Sequence, residues 1–295
     1  MPIDATDIAR AVQTACVLEV SAEKPGNVTR HKDFWDTGLS HFVVSAVAVG
    51  PVFLDAVHAP VGETILRAMR DTHRLVHTNT NLGMVLLLAP LAKAAGLAHP
   101  RQDLRAGVSQ VLATATVEDA RMVYEAIRIA APGGLGKLDR YDVREPQVDI
   151  TLRETMALAQ GRDSVAREYV TDFEITFEIG YPILHRLCEE GHKFSDSIVH
   201  TSLTILSQVP DTLIARKNGL EVAEQISRRA EQVLEAGGAL SEQGWEELRR
   251  FDLALRDDRH FLNPGTTADL TTAALFVFLT EGSALGRLPD LLRRW

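Results

Sequence analysis

Between Glu19 and Asp36 the chain gathers Lys24, Arg30, His31 and Lys32 beside Glu19, Glu23, Asp33 and Asp36, around the turn Lys24-Pro25-Gly26-Asn27. Cations at that density suit a polyphosphate, because lysine supplies a point charge and arginine a planar fork. The interleaved carboxylates could hold Mg²⁺, which takes oxygen ligands and bridges phosphates. A solvated loop of mixed charge has the same composition, so this stretch alone leaves both readings open.

Two more polar breaks have the same character. Thr78-Asn79-Thr80-Asn81-Leu82-Gly83 stands directly before an apolar run. A helix N-terminus presents free N–H groups and a positive dipole end, so it receives phosphate readily, and Gly83 would let a ligand approach the first turn. A simple N-cap would need one of these residues, not four. Asn263-Pro264-Gly265-Thr266-Thr267-Ala268-Asp269 opens a second apolar run. Its proline and glycine set a turn, its threonines can cap, and Asp269 falls in the first helical turn as a dipole partner or a ligand.

These breaks need elements to hold them, and the periodicity of the chain is helical. Helices are expected over Thr6 to Ala22, Ser40 to Val57, Glu63 to Leu75, Leu82 to Ala98, Asp103 to Thr114, Val117 to Ala131 and Leu152 to Gln160. Others are expected over Val165 to Glu189, Asp196 to Gln208, Leu220 to Glu235, Glu242 to Leu255 and Ala268 to Phe278. No run alternates apolar and polar residues as a strand would. The expectation is an all-α chain forming a single globular multi-helix domain over residues 1–295. The break at Pro132 to Gly136 and the polar stretch to Asp149 then read as a functional loop inside it, since a linker would be poorer in mixed charge.

Composition removes several function classes. The net charge of −9 disfavours nucleic acid and anionic membrane as partners, and no basic run offsets it; Arg249-Arg250 and Arg293-Arg294 read as helix-end cations. Leu82 to Ala98 is the most apolar stretch, but Pro90, Lys93 and Gly96 interrupt it, and it is shorter than the roughly 20 residues of a spanning helix. The polar, acidic start of the chain shows no signal peptide. Cys16 and Cys188 stand in apolar stretches and read as reduced core thiols, the pattern of a cytoplasmic protein. GxSxG, HExxH, CxxC and P-loop motifs are all absent from the sequence. Gly133-Gly134-Leu135-Gly136-Lys137 follows no strand and makes a weak dinucleotide fingerprint.

The ordered set of motifs resembles the triphosphoribosyl-dephospho-CoA synthase family. Its members have a Glu, a Lys-Pro-Gly turn and a His-(Lys)-Asp pair before a Phe-x-x-Ser-Ala helix. Here these read Glu19, Lys24-Pro25-Gly26, His31-Lys32-Asp33 and Phe42-Val43-Val44-Ser45-Ala46. The Asn-Thr-x-x-Gly element reads Asn79 to Gly83, and Asn-Pro-Gly-x-x-Ala-Asp-Leu reads Asn263 to Leu270. The resemblance implies an all-α transferase with ATP as substrate. Such an enzyme moves a triphosphoribosyl unit to the 2′-hydroxyl of a small-molecule acceptor, dephospho-CoA, with loss of adenine. It implies Asp33, with His31 beside it, as base or stabiliser of the oxocarbenium-like sugar. It puts Lys24, Gly26, Arg30, Lys32, Asn79, Thr80, Asn81, Gly83, Asn263 and Thr266 on phosphates and substrate, and Glu19 and Asp269 on Mg²⁺. The chain departs from the family at Thr29-Arg30, where a Gly-Ala pair is usual, and around Asp139 to Glu145. It is closer there to a branch associated with tetrahydromethanopterin makers, so a pterin-ribitol hydroxyl is the alternative acceptor, and a non-catalytic nucleotide-binding helical protein a third reading. A homo-oligomer is compatible with all three.

Overall fold

The structure, a computed structural model, describes residues 3–97, 103–135, 140–145, 147–257 and 259–295, with the side chains of 282–284 left aside. Every regular element among the described residues is a helix, as expected; their only β-type pairing is an isolated bridge between Thr29 and Lys32. The sequence predicts one helical domain. In the structure the helices gather in two compact units, residues 1–16 with 41–174, and residues 17–40 with 175–295.

Helix α1 (Ala5–Ser21) begins in the first unit and ends in the second, and α2 (Leu39–Phe53) starts in the second and continues in the first. The first unit adds α3 (Val61–Val76), α4 (Leu82–Leu97), α5 (Leu104–Ala113), α6 (Val117–Ala130), α7 (Leu152–Ala159) and α8 (Ser164–Val170). Its centre is α4, apolar but for Lys93 and buried from Met84 to Ala92. Pro90 inside α4 has no N–H for the carbonyl of Leu86. The hydroxyl of the fully buried Tyr169 donates to that carbonyl at 2.6 Å, and burial pushes the Tyr169 phenol well up from its usual range. Pro51 leaves the Val47 carbonyl in the same condition, and Gln13 Nε2 donates to it at 3.4 Å. Gly50 makes room for that amide, since a Cβ there would come within 2.3 Å of it. Each carbonyl that a proline leaves open therefore has another donor.

The second unit holds a π-helical turn (Thr176–Gly180), α9 (Tyr181–Glu189), α10 (Phe194–Gln208), α11 (Thr212–Asn218), α12 (Leu220–Glu235), α13 (Glu242–Leu255), α14 (Gly265–Thr280) and α15 (Leu288–Leu292). The single helix expected from Val165 to Glu189 is broken. Asp172 and Phe173 take left-handed backbone at φ 52° and 60°. Ser109 and Arg153 bind the Asp172 carboxylate, and Phe173 is fully buried, so packing overrides the helical pattern of the sequence. The short α11 has no counterpart in the sequence reading. Cys16 and Cys188 are buried without a disulfide, and burial pushes the Cys188 thiol up to about 12. Among the described residues no single helix is long and apolar enough to cross a membrane.

Candidate functional site

The first polar break begins where α1 ends. No basic residue stands in the last turn of α1. Lys24 folds back to that end instead, giving N–H groups to the carbonyls of Glu19 and Ala22 and ion-pairing with Glu19 Oε1 at 3.0 Å. A cation is favoured at a helix C-terminus; two carbonyls accept ammonium protons, and the Glu19 carboxylate balances the charge beside them. Lys24 is 1% exposed and Glu19 2%. Burial raises the Glu19 carboxyl, while the Lys24 charge and hydrogen bond pull it part of the way back. The sequence predicts Lys24 on phosphate and Glu19 on Mg²⁺; in the structure the two residues hold each other, with Lys24 at the edge of the cavity described below and Glu19 buried beside it.

The turn after it is held from α13. Gly26 takes left-handed backbone at φ 72°, and its N–H donates to Asp252 Oδ1 at 2.8 Å. Asp252 also accepts from Lys32 Nζ, which bonds Oδ2, and from Arg256 Nε at 3.1 and 3.0 Å. Arg256 Nη2 reaches on to the Asn27 carbonyl at 2.9 Å. Burial alone would raise the Asp252 carboxyl, but the donors from Arg256, Lys32 and Gly26 outweigh it and hold the group below the usual carboxylate range. A Cβ on Gly26 would lie 2.9 Å from Leu255 and 3.0 Å from Pro264 Cδ, so the first and third polar breaks meet at this glycine. Gly26→Ala is expected to cost about 2 kcal/mol through backbone strain and overpacking. Its urea unfolding midpoint, set beside that of Gly133→Ala, where a Cβ meets nothing within 4 Å, measures this.

Beyond the turn, Thr29 and Lys32 close a tight loop: Thr29 N–H donates to the Lys32 carbonyl at 2.9 Å, and Lys32 N–H to that of Thr29 at 3.4 Å. Arg30 and His31 stand at its tip, exposed. Glu23 lies behind them, 3.7 Å from Arg30 Nε and 3.9 Å from His31 Nε2, and accepts from Thr29 Oγ1 at 3.1 Å. Arg30, His31 and Lys32 line one wall of a cavity of about 540 Å³ within the second unit. The opposite wall is built from α10 and α13. Trp245, Leu248, Arg249 and Asp252 recur at i, i+3, i+4 and i+7 and so share one face of α13. Lys193 and Asp196 come from the start of α10, and Trp295 docks beside them with its ring edge on Phe194 at 6.2 Å between centroids. Burial raises the Asp196 carboxyl. The side chains of Lys193 and Arg249 make no ion pair among the described residues. Arg249, read from sequence as a helix-end cation, lies in mid-helix on the cavity, whereas Arg250 turns away to Glu247.

The other expected residues fall elsewhere. Asp33 is not on the cavity wall; its Oδ1 accepts the Leu39 N–H at 2.8 Å and so starts α2. Asn263 Oδ1 accepts from Lys217 Nζ at 3.3 Å, and Thr266 Oγ1 from Thr212 at 3.2 Å, both on α11. The buried Asp211 ties α11 to α14: its Oδ1 caps Leu213 and Ile214, and its Oδ2 accepts from Thr267 N and Oγ1 at 2.7 and 2.8 Å. Asp269 is half-buried one turn further on. The second break belongs to the first unit. There Asn79 Oδ1 caps Leu82 N–H, Thr80 Oγ1 bonds Ser45 Oγ at 2.5 Å, and Asn81 Nδ2 donates to Thr72. Thr80 and Asn81 thereby fix α2 and α3 to the start of α4, while Asn81 Oδ1 is buried with no hydrogen-bond partner. Gly83 is half-buried in the first turn of α4. Among the described residues no three His, Cys, Asp or Glu side chains converge as metal ligands. The expected loop from Gly133 to Asp149 includes residues 136–139 and 146, which lie outside the described residues.

Comparison with known proteins agrees in direction. The model of the CitG family, ATP:dephospho-CoA triphosphoribosyl transferase, matches residues 5–286. The chain is 24% identical over 302 residues to the 2-(5''-triphosphoribosyl)-3'-dephosphocoenzyme-A synthase of Klebsiella pneumoniae, covering 96% of this chain and 94% of that protein. It is also similar to a solved structure from Archaeoglobus fulgidus, described as a candidate triphosphoribosyl-dephospho-CoA synthase. The TM-score is 0.63 at 30% identity, over 81% of this chain and 98% of the other.

Proposed function

Since the chain belongs to the ATP:dephospho-CoA triphosphoribosyl transferase family, we propose that its cavity between the Thr29–Lys32 turn and α13 receives the nucleotides of that reaction. The 2′-oxygen of dephospho-CoA bonds to the anomeric carbon of the ATP ribose. The bond from that carbon to adenine breaks, and adenine leaves with the electron pair. The hydroxyl proton must go to a nearby base, and the sugar passes through an oxocarbenium-like state whose charge needs a polar, oriented setting.

The observation that carries the reading is the concentration of cations. In a chain of net charge −9, Arg30, Lys32, Lys193 and Arg249, with His31, face one cavity, where the carboxylates Glu23, Asp196 and Asp252 are fewer than the basic residues. A surplus of basic residues in a net negative chain suits a substrate with a triphosphate. We assign Arg30, His31 and Lys32 to the triphosphate of the donor. Asp196 is the carboxylate we assign to the acceptor proton. Burial strengthens its hold on a proton, while Glu23 is engaged by Thr29, Arg30 and His31. Magnesium arrives on ATP as part of the substrate, consistent with its habit of binding through phosphates and few carboxylates. ATP as donor supports a cytosolic setting.

The test is release of free adenine from ATP and Mg²⁺, followed by chromatography, with dephospho-CoA or a pterin-ribitol compound as acceptor. Adenine released with dephospho-CoA, and lost in Asp196→Asn, is the expected result. Release only with the pterin acceptor would move the assignment to that alternative, and ATP binding without any release would leave a nucleotide-binding protein.

A further inference from the structure

We propose that the α13 face carrying Trp245 and Arg249, with Lys193 and Trp295 beside it, is a subsite for the adenosine diphosphate portion of a nucleotide. The flat base lies against tryptophan and the phosphates lie against the two cations. This rests on the reading of the cavity as a nucleotide site and adds to it a wall that none of the family motifs identified above contains.

Three observations point to it. First, the cations of this wall are held less tightly than those across the cavity: Lys193 and Arg249 make no close ion pair among the described residues, Lys193 acting on Asp196 only through space, whereas Lys32 is already held by Asp252. Cations left open to a cavity repel each other and gain from an anion. Second, the wall is aromatic in a chain with few aromatic residues. Aromatic residues are 6% of the sequence, there are three tryptophans, and two of them line this one cavity. Tryptophan with an apolar floor, here Leu248 and Val199, receives the face of a heterocycle and accepts any base by stacking. Third, Trp245 and Arg249 lie one turn apart on the same helix, a rise of about 6 Å. A base on the first then leaves its 5′ phosphates within reach of the second. The Thr29–Lys32 turn offers cations and the single imidazole of His31 but no indole, so the two walls divide into one better suited to polyphosphate and one better suited to a base with phosphates.

Adenosine with a 5′ diphosphate occurs in both ATP and dephospho-CoA, and the experiment separates the two. Trp35, 78% exposed and outside the cavity, is replaced by Phe so that fluorescence reports Trp245 and Trp295. This variant is titrated with ADP, ATP, dephospho-CoA and pyrophosphate. Quenching by the three nucleotides and little by pyrophosphate is expected. Trp245→Ala should bind ADP about tenfold more weakly with pyrophosphate affinity unchanged, and Trp245→Phe should restore most of it. Arg249→Ala should weaken ADP and pyrophosphate alike. In turnover, both Ala variants should raise KM for the nucleotide that occupies the wall and leave KM for the other unchanged. We expect that nucleotide to be dephospho-CoA, because Asp196 lies on the same side; a rise confined to ATP would assign the wall to the donor.

Unchanged ADP affinity in both Ala variants, each with a wild-type urea midpoint, would overturn the subsite. So would adenine release with both KM values unchanged. The two readings fail separately. Tryptophan-dependent ADP binding without adenine release would leave the subsite standing and remove the transferase reaction. Adenine release with intact binding in the variants would do the reverse.

Discussion

Lys24→Met is expected to lower the unfolding free energy by about 3–5 kcal/mol, the usual result of removing one partner of a buried ion pair. The loss has two parts. Glu19 keeps a buried carboxylate with no counter-charge, and the carbonyls of Glu19 and Ala22 at the end of α1 lose their donor. A lysine that binds phosphate at the surface predicts something different, namely weaker ATP binding and an almost unchanged midpoint. Urea unfolding with and without ATP separates these outcomes. The double variant Lys24→Met, Glu19→Gln should recover part of the lost stability, because it removes the uncompensated charge as well as its partner. The sign with pH can be worked out. In the single variant Glu19 faces burial without the lysine that lowers its pKa, so its folded value rises further above the unfolded one. A carboxyl with a raised folded pKa is best tolerated in the acid, where it is protonated in both states. The deficit of the single variant should therefore be smaller near pH 5 than near pH 8. A deficit independent of pH would place its origin in packing and not in the carboxylate.

What could be read from sequence follows the range of the interactions concerned. Helix positions depend on neighbours three and four residues apart, and most expected helices are present within a few residues of their bounds. The Val165–Glu189 pattern failed because Asp172 and Phe173 answer to Ser109, Arg153 and burial, none of which lies in the local sequence. In the first polar break, the exposed Arg30 and His31 and the half-buried Lys32 could be recognised because density of basic residues is a local property. Lys24 could not be told from them: only burial distinguishes a helix-capping lysine from a phosphate-binding one. The four polar residues at Thr78 to Asn81 exceeded what one cap needs, and the excess was informative. Its use is to bind Ser45 and Thr72, which the order of residues does not place nearby. The second wall of the cavity could have been found in part. Trp245, Leu248, Arg249 and Asp252 repeat at helical spacing, and a tryptophan and an arginine sharing an otherwise ordinary amphipathic face is a signal. That this face meets the Lys24–Lys32 turn depends on the contact of Gly26 with Asp252, across 226 residues of chain.

Asp252 is consequently the residue whose loss should disturb the site most. Its two oxygens receive the Gly26 N–H, the Lys32 ammonium and the Arg256 guanidinium, so one side chain fixes the turn, neutralises one wall cation and orients the strut to Asn27. Asp252→Asn keeps the shape but turns an NH₂ toward donors and leaves Lys32 and Arg256 facing each other without an anion. We expect a loss of about 3 kcal/mol in stability. A rise in KM for ATP should accompany it, because the Thr29–Lys32 turn is no longer held to α13. The pH dependence identifies the charge as the cause. The folded pKa of Asp252 is held below the 3.8 of a free aspartate, with burial opposing and the Arg256, Lys32 and Gly26 donors prevailing. Its contribution is therefore fully present above pH 3.8 and is lost as pH falls through the lower folded value. The stability gap between wild type and Asp252→Asn, followed by urea unfolding, should stay constant from pH 7 down to about 4 and close below that. A gap that persists at pH 2 would mean that hydrogen-bond geometry, not charge, makes the carboxylate necessary. Asp252→Glu, which keeps the charge one methylene further out, should then be no better than Asn.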